Sequence, residues 1–171
     1  MDCLSMPDPQ VSLLLTLIDQ AFDHVSWHGT NLRGSIRGLS VADVAWRPAR
    51  DRPSIWEIVV HAAYWKYTVR RRLRAEAKGS FPLKGSNWFP RLTKAKTAPE
   101  EWKHDVKLLV EVHRSMREAI STLHDGQLNL KPKGSKVSNL TLITGIASHD
   151  LYHAGQIQLL KRLLPNRHKR R

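Results

Sequence analysis

The chain has 171 residues, of which 41% are hydrophobic and 25% charged, and its 28 basic against 15 acidic residues give a net charge of +13. This size and composition are typical of one globular domain, so we expect residues 1–171 to form a single domain with flexible termini at 1–9 and 166–171. No apolar run approaches the roughly 18 residues of a membrane span, and the N-terminus does not resemble a signal peptide, so we expect a cytoplasmic protein without a membrane partner. The one cysteine, Cys3, excludes an intramolecular disulfide.

The first predicted element is a helix over residues 10–36. His28 lies between Val25 and Leu32 on its apolar side, so we expect this histidine to face inward. His24 and His28 also form an HxxxH pair, which is a possible metal-binding pair in its own right. The apolar positions that define the helix are Val11, Leu14, Ile18, Phe22, Val25, Leu32 and Ile36.

A capping box predicts where the second helix begins. Ser54 is followed three residues later by Glu57, the arrangement in which each side chain bonds the other residue's backbone amide. The helix is predicted from Ile55 to about Ala77. His61 lies on its apolar face, one turn before Trp65. A lone inward histidine is usually a satisfied core residue, but opposite a histidine pair it is the natural third metal ligand.

A long loop is predicted over residues 78–98, which are rich in glycine and proline. Loops of this length in a compact domain are often functional. Trp88 and Phe89 would cost free energy if they were left in water. We therefore expect them to cover an end of the bundle or the mouth of a pocket, either as a substrate contact or as two aromatics that pin the loop.

The third helix is predicted from about Thr97 to about His124, with Pro99 in its first turn. His113 lies on the apolar seam of this helix. It is interpreted as a buried, hydrogen-bonded histidine, with a role in lining the pocket as the alternative. Residues 125–136 are predicted to form a loop.

The last helix is capped by Ser138 or Thr141 and carries the most informative stretch of the chain, residues 145–164. His149, His153 and Gln156 fall on one face of it, together with apolar residues. Because a helix rises about 5.4 Å per turn, two imidazoles four residues apart can bind one metal ion. The alternative is two buried histidines that only form hydrogen bonds.

Two further residues of this stretch are predicted to point away from the ligands. Asp150 lies about 100° around the helix from His149, so we expect it to orient a neighbouring group rather than bind a metal. Tyr152 is expected to face a neighbouring helix or a partner chain.

Four amphipathic helices and no convincing strand predict an all-α protein, a four-helix bundle with a long loop between helices 2 and 3. Such bundles build metal sites from side chains on facing helices. His61 with the last-helix pair would make a three-histidine site with open positions, which is typical of a catalytic metal. Imidazole ligands favour zinc, nickel, copper or iron over magnesium or calcium.

The chain resembles the DinB-like family of helix-bundle metalloenzymes. The resemblance rests on residues 50–57, which lead into His61-Ala-Ala-Tyr-Trp65, and on residues 145–157 with His149 and His153. It implies that these three histidines bind a divalent metal, most often zinc or nickel, and that the chain forms a homodimer. It also implies a small-molecule substrate and an activity such as that of thiol S-transferases and isomerases, which use a low-molecular-weight thiol.

The resulting hypothesis is a metal-dependent hydrolase or thiol S-transferase that activates water or a thiol for attack on a small electrophile. No catalytic residue is fixed by the pattern. Gln156, Glu57 and His28 are the candidates, and each also has a structural interpretation. Gln156 would be the hydrogen-bond partner of a metal ligand, Glu57 a helix cap and His28 a core residue. The expected pocket residues are Trp65, His113 and Trp88.

The positive charge keeps a second class of function open, a basic module that binds nucleic acid or another acidic partner, with a structural or vestigial metal site. Its densest clusters are residues 70–74 and the tail 167–171. Three consecutive arginines on a helix form no single stripe, however, and no nucleic-acid-binding motif accompanies them. Nucleic acid is therefore the less favoured partner.

Overall fold

The computed structural model describes residues 8–91 and 96–165. Within these ranges the chain forms six α-helices and one 3-10 turn at Asp125–Gln127, with no strand, so the all-α prediction is confirmed. Cys3, the basic tail 167–171 and most of the termini expected to be flexible lie outside the described residues. The helices are α1 (Pro9–Phe22), α2 (Leu32–Ser35), α3 (Val41–Ala45), α4 (Ile55–Leu73), α5 (Ala98–Ser121) and α6 (Asn139–Leu163).

The four long helices surround an apolar interior whose buried side chains form two clusters. Helix α4 packs on α5 and α6, and α1 also packs on α5 and α6, so the four follow one another around the core in the order α1, α5, α4, α6. This arrangement is compatible with the predicted four-helix bundle. Among the described residues, none of the helices combines the length and hydrophobicity that crossing a membrane requires.

The prediction of one first helix over residues 10–36 is wrong. Helix α1 ends at Phe22, and a loop leads to the short helix α2, whose Leu32 is buried. Asn31 explains the break, because its side chain accepts a hydrogen bond from the Gly34 amide and donates one to the carbonyl of His24, both 2.8 Å long. The apolar spacing thus continued across two separate elements.

Helix α4 begins as predicted. The Ser54 hydroxyl accepts from the amide of Glu57 at 3.2 Å, and Glu57 accepts from the amide of Ser54 at 3.0 Å. The helix ends at Leu73, four residues before the predicted end, where Ala75 takes a positive φ of 53°. The predicted long loop follows, between α4 and α5.

A buried ion pair joins α4 to α6. Lys66 donates to Asp150, and both side chains are almost completely shielded from solvent. The Lys66 ammonium also lies 4.7 Å from the centre of the Phe22 ring on α1. Asp150 therefore does orient a neighbouring group, as expected, and the pair fixes how the two histidine-bearing helices face each other.

Candidate metal centre

Three histidines from two helices meet at one point in the bundle. His61 comes from α4, and His149 and His153 come from adjacent turns of α6. The Nε2 atom of His149 lies 3.1 Å from Nε2 of His61 and 3.1 Å from Nε2 of His153. His61 and His153 are buried and His149 is half-buried, so the cluster is largely screened from water.

Hydrogen bonds fix the tautomers of two of these rings. His61 donates from Nδ1 to the carbonyl oxygen of Asn87 at 2.8 Å, and His153 donates from Nδ1 to Oε1 of Gln156 at 2.7 Å. In the neutral rings Nε2 therefore carries a lone pair that points at His149. The single Nε2 proton available to neutral His149 can satisfy only one of its two neighbours. A cation in their midst would satisfy all three.

This donor set fits a divalent transition metal. Zinc–nitrogen bonds of about 2.0–2.1 Å place two ligands of a tetrahedral site roughly 3.3 Å apart, close to the two separations of 3.1 Å. The other ring nitrogens of His61 and His153 are bonded to neighbouring oxygens, as is usual for metal-bound imidazoles. Nδ1 of His149 is buried without a partner among the described residues.

Burial keeps the three imidazoles neutral at physiological pH. It lowers the pKa of His149 to about 3, with a further contribution from the neighbouring His153 and His61. It lowers the pKa of His153 to about 4 and that of His61 below its ordinary value. Because a metal ligand must be deprotonated, these side chains are ready to bind without losing a proton.

Asn87 connects the long loop to the site. Its backbone has a φ of +65°, a left-handed conformation that asparagine tolerates better than most residues. In this conformation its carbonyl oxygen faces His61, while its side-chain oxygen accepts a hydrogen bond from the indole of Trp65 at 2.9 Å. One loop residue therefore orients both a histidine and a wall of the site.

Two tryptophans enclose the cluster. Trp88 stacks on His61, with ring centres 4.0 Å apart and an interplanar angle of 13°, and remains 42% exposed. Trp65 lies edge-on to His61 and His149 at 6.4 and 6.3 Å. Trp65 and Trp88, two of the expected pocket residues, thus contact the histidines. Trp88 forms the solvent-facing cover.

The loop that carries Trp88 is anchored just beyond it. Phe89 is buried, the amide of Arg91 donates to Glu57 at 3.2 Å, and the Arg91 guanidinium donates to Asp105 at 2.6 Å. Glu57 also accepts from Arg47 and from the helix cap. All these bonds favour a structural role for Glu57 over a catalytic one.

Tyr152 lies beside the site and not against a neighbouring helix, and the alternative that its exposed ring faces a partner chain stays a prediction. Its ring packs edge-on against His153 at 5.1 Å, and its hydroxyl accepts a hydrogen bond from Gln156 at 2.9 Å. Gln156 accepts in turn from His153. These three side chains form a short chain of hydrogen bonds and ring contacts from the buried ligand to the exposed phenol.

Two other histidines are not brought to the cluster. His28 is exposed in the loop after α1, so the prediction that it faces the core is wrong, because the helix ends before it. His113 is buried as expected, but the expected hydrogen bond is missing at Nδ1, which has no partner among the described residues. Its ring stacks on Phe22 at 3.7 Å and not on the three clustered histidines. The structure therefore does not support His113 as a residue of this pocket.

With the geometry established, comparison with protein families gives a clear result. The sequence model of the DinB superfamily matches residues 24–157. This chain belongs to the DinB superfamily. The matched range contains all three clustered histidines, and the predicted resemblance is confirmed. No curated protein and no solved structure matches the chain at a significant level.

In this DinB-superfamily chain, sequence reasoning missed Asn87 and Lys66. Asparagine after Gly85-Ser86 is a signal for a left-handed turn, since few other residues adopt positive φ at low cost. Nothing local to the sequence indicated that its carbonyl would reach His61. The pairing of Lys66 with Asp150 likewise spans 84 positions and has no local signature.

Proposed function

We propose that this protein is a metal-dependent enzyme in which His61, His149 and His153 hold one divalent transition metal ion, zinc or nickel. The observation that carries the proposal is the convergence of three Nε2 atoms in a largely buried cluster, two of them with their tautomer fixed by hydrogen bonds. No acidic side chain belongs to this cluster among the described residues, so three neutral ligands would leave the ion its full positive charge.

The proposed reaction is attack by water or a low-molecular-weight thiol on a small electrophilic substrate. A bound ion of this kind supplies Lewis acidity, which lowers the pKa of a water molecule or thiol beside it. Gln156 holds His153 in the binding tautomer. Because Gln156 donates to the oxygen of Tyr152, the phenol proton of Tyr152 remains available to a polar group of the substrate.

The surroundings of Trp88 suit a small molecule. Trp88 borders a cavity of about 370 Å³ together with Arg47, Glu57 and Pro90, a volume within the range of small-molecule sites. The exposed indole supplies an apolar surface at its edge, whereas the charge of Arg47 is balanced by its ion pair with Glu57, and Asp51 also borders the cavity. We infer that the substrate approaches along this side of Trp88.

The alternative of a basic nucleic-acid-binding module gains no support from the described surface. Arg70 forms an ion pair with Glu76 at 2.7 Å, and Arg71 donates to the carbonyl oxygen of Glu76 at 3.1 Å. The basic tail lies outside the described residues. A homodimer also stays a prediction, which sedimentation velocity would test.

The test compares the metal-stripped protein with protein reloaded with Zn²⁺ or Ni²⁺, against a panel of low-molecular-weight thiols paired with aryl-halide and epoxide electrophiles, and of aryl esters for hydrolysis. We expect turnover only after reloading, and a loss of about 100-fold or more in His61→Ala. His24→Ala, which removes an exposed histidine, is the matched control and should keep full activity. The proposal would be contradicted if the metal-stripped protein or His61→Ala turned over substrate as fast as the reloaded wild type.

A further inference from the structure

A second cavity lies between the outer side of α4 and the loop that follows it. Its volume is about 410 Å³, and none of the three clustered histidines borders it. Tyr64 and Tyr67 of α4 form one side, and Phe81 of the loop forms part of the other. The cavity is large enough for a compact organic molecule.

Aromatic packing holds the walls of this cavity in place. The Phe81 ring lies 5.3 Å from Tyr64 and 5.4 Å from Tyr67, and it also packs on the buried Phe89 at 5.3 Å. The Tyr67 hydroxyl accepts hydrogen bonds from both the amide and the hydroxyl of Ser80, each 3.3 Å long. The loop is thus fastened to α4, and the apolar surface is largely formed before any ligand arrives.

The charged residues around the cavity are all positive. Arg71, Lys78 and Lys84 border it, and no carboxylate does. Arg71 is held by a hydrogen bond to the carbonyl oxygen of Glu76, which orients the guanidinium without neutralising it. Lys78 and Lys84 are exposed and form no ion pair within the described part of the chain. Three uncompensated cations beside aromatic rings favour a negatively charged ligand with a flat apolar part.

We propose that this cavity binds a small organic anion, a carboxylate or phosphate attached to an aromatic group. The anion lies among Arg71, Lys78 and Lys84, and the aromatic part packs on the apolar surface that Phe81 and the two tyrosines form together. This site is separate from the three-histidine cluster and needs no metal ion. The two are neighbours, however, because the Tyr64 ring packs edge-on against Trp65 at 5.8 Å, and Trp65 in turn contacts His61.

Calorimetric titration of the full chain tests the proposal with four probes in physiological salt. Phenyl phosphate and benzoate carry both features, inorganic phosphate lacks the ring, and benzyl alcohol lacks the charge. We expect phenyl phosphate or benzoate to bind at least about tenfold more tightly than inorganic phosphate and benzyl alcohol. Whichever of the two aromatic anions binds more tightly identifies the preferred anionic group. No binding of either aromatic anion at millimolar concentration would overturn the proposal.

Charge-removal variants locate the site. Lys78→Gln/Lys84→Gln should lower the affinity for the tighter-binding aromatic anion by about tenfold, since each lysine contributes one nearby charge. Lys103→Gln/Lys107→Gln removes two exposed lysines of α5 and the same net charge, and should change the affinity by less than about twofold. If both double variants lost the same affinity for the aromatic anion, the binding would reflect only the overall positive charge of the protein, and the proposed site would be refuted.

A chelator-treated sample separates this proposal from the metal-dependent function. The affinity for the aromatic anion should be the same with and without metal, and the same in His61→Ala. If binding disappears with the metal, the anion binds at the histidine cluster and the separate site is refuted. If the aromatic anion still binds to a protein that takes up no metal, the anion site is supported and the proposed metal-dependent function is refuted.

Discussion

His61 donates a hydrogen bond from Nδ1 to the backbone carbonyl oxygen of Asn87, 2.8 Å away. The bond reaches from the middle of α4 to the long loop, and it depends on the left-handed backbone of Asn87, whose φ is +65°. It turns the Nε2 lone pair of His61 towards His149. The tautomer of a proposed metal ligand is therefore set by a backbone group of a loop residue.

Substitutions of Asn87 separate its backbone from its side chain. Asn87→Gly keeps the left-handed conformation and the carbonyl acceptor, so we expect metal affinity to fall by less than about threefold. Asn87→Val should weaken metal binding by about tenfold, because a β-branched residue is strained at positive φ and displaces the carbonyl. Competition with a coloured chelator measures both. Equal losses in the two variants would show that the bond from Trp65 to the Asn87 side chain matters instead.

Gln156 is expected to set the affinity of the site through His153. Gln156→Leu removes the acceptor of the His153 Nδ1 proton, and partners of this kind are typically worth about 10–100-fold in metal affinity. Gln156→Glu keeps an acceptor at the same place and should retain affinity close to that of the wild type. Chelator competition under identical conditions gives the comparison. Unchanged affinity in Gln156→Leu would remove the assigned role.

The Lys66–Asp150 pair predicts an asymmetry between single and double substitution. Lys66→Met leaves the Asp150 carboxylate buried without its partner, which should lower the free energy of unfolding by about 3–5 kcal/mol. Lys66→Met/Asp150→Leu removes both charges and should recover much of that loss. Urea denaturation of the metal-free proteins measures the difference. A double variant less stable than the single one would show that the pair itself stabilises the fold.

His113 predicts a pH dependence of stability that is independent of the metal. Burial lowers its pKa to about 2, helped by the charges of Lys66, Arg117 and His24. Asp19 lies 3.9 Å away but is already bound by Arg117, so it does not reverse this effect. The unfolded chain takes up the proton near its ordinary pKa of 6.5, whereas the folded protein does not, so stability falls as the pH drops from about 6.5 towards 2.

Replacing this histidine should flatten that dependence. His113→Phe keeps a ring against Phe22 and removes the titrating group, so below about pH 6 the slope of unfolding free energy should decrease by up to about 1.4 kcal/mol per pH unit. Urea denaturation of the metal-free wild type and variant at about pH 7 and about pH 5 provides the measurement. An identical slope in both proteins would mean that His113 is protonated in the folded state.

The part of the site that could be predicted is the part encoded by helical periodicity. His61, His149 and His153 lie on apolar faces because the spacing of neighbouring apolar residues places them there, and Ser54 with Glu57 fixes the start of α4. Periodicity failed between α1 and α2, because apolar spacing continued through a loop whose backbone is bound by Asn31.

The unpredicted part consists of contacts between distant segments. The Asn87 carbonyl reaches His61 across 26 positions, and Lys66 reaches Asp150 across 84. Such contacts follow from how the helices pack and not from any local pattern. Tyr152 illustrates the same limit. It directly precedes His153 and was predicted to point away from the ligands, yet its ring contacts His153 and its hydroxyl accepts from Gln156.

Metal content tests the central claim most directly. Elemental mass spectrometry on untagged protein, incubated with Zn²⁺ or Ni²⁺ and then desalted, should find about one ion per chain. His61→Ala and His149→Ala should lose it, and His24→Ala should keep it. A wild-type protein that stays empty, or variants that retain as much metal as the wild type, would contradict the three-histidine site.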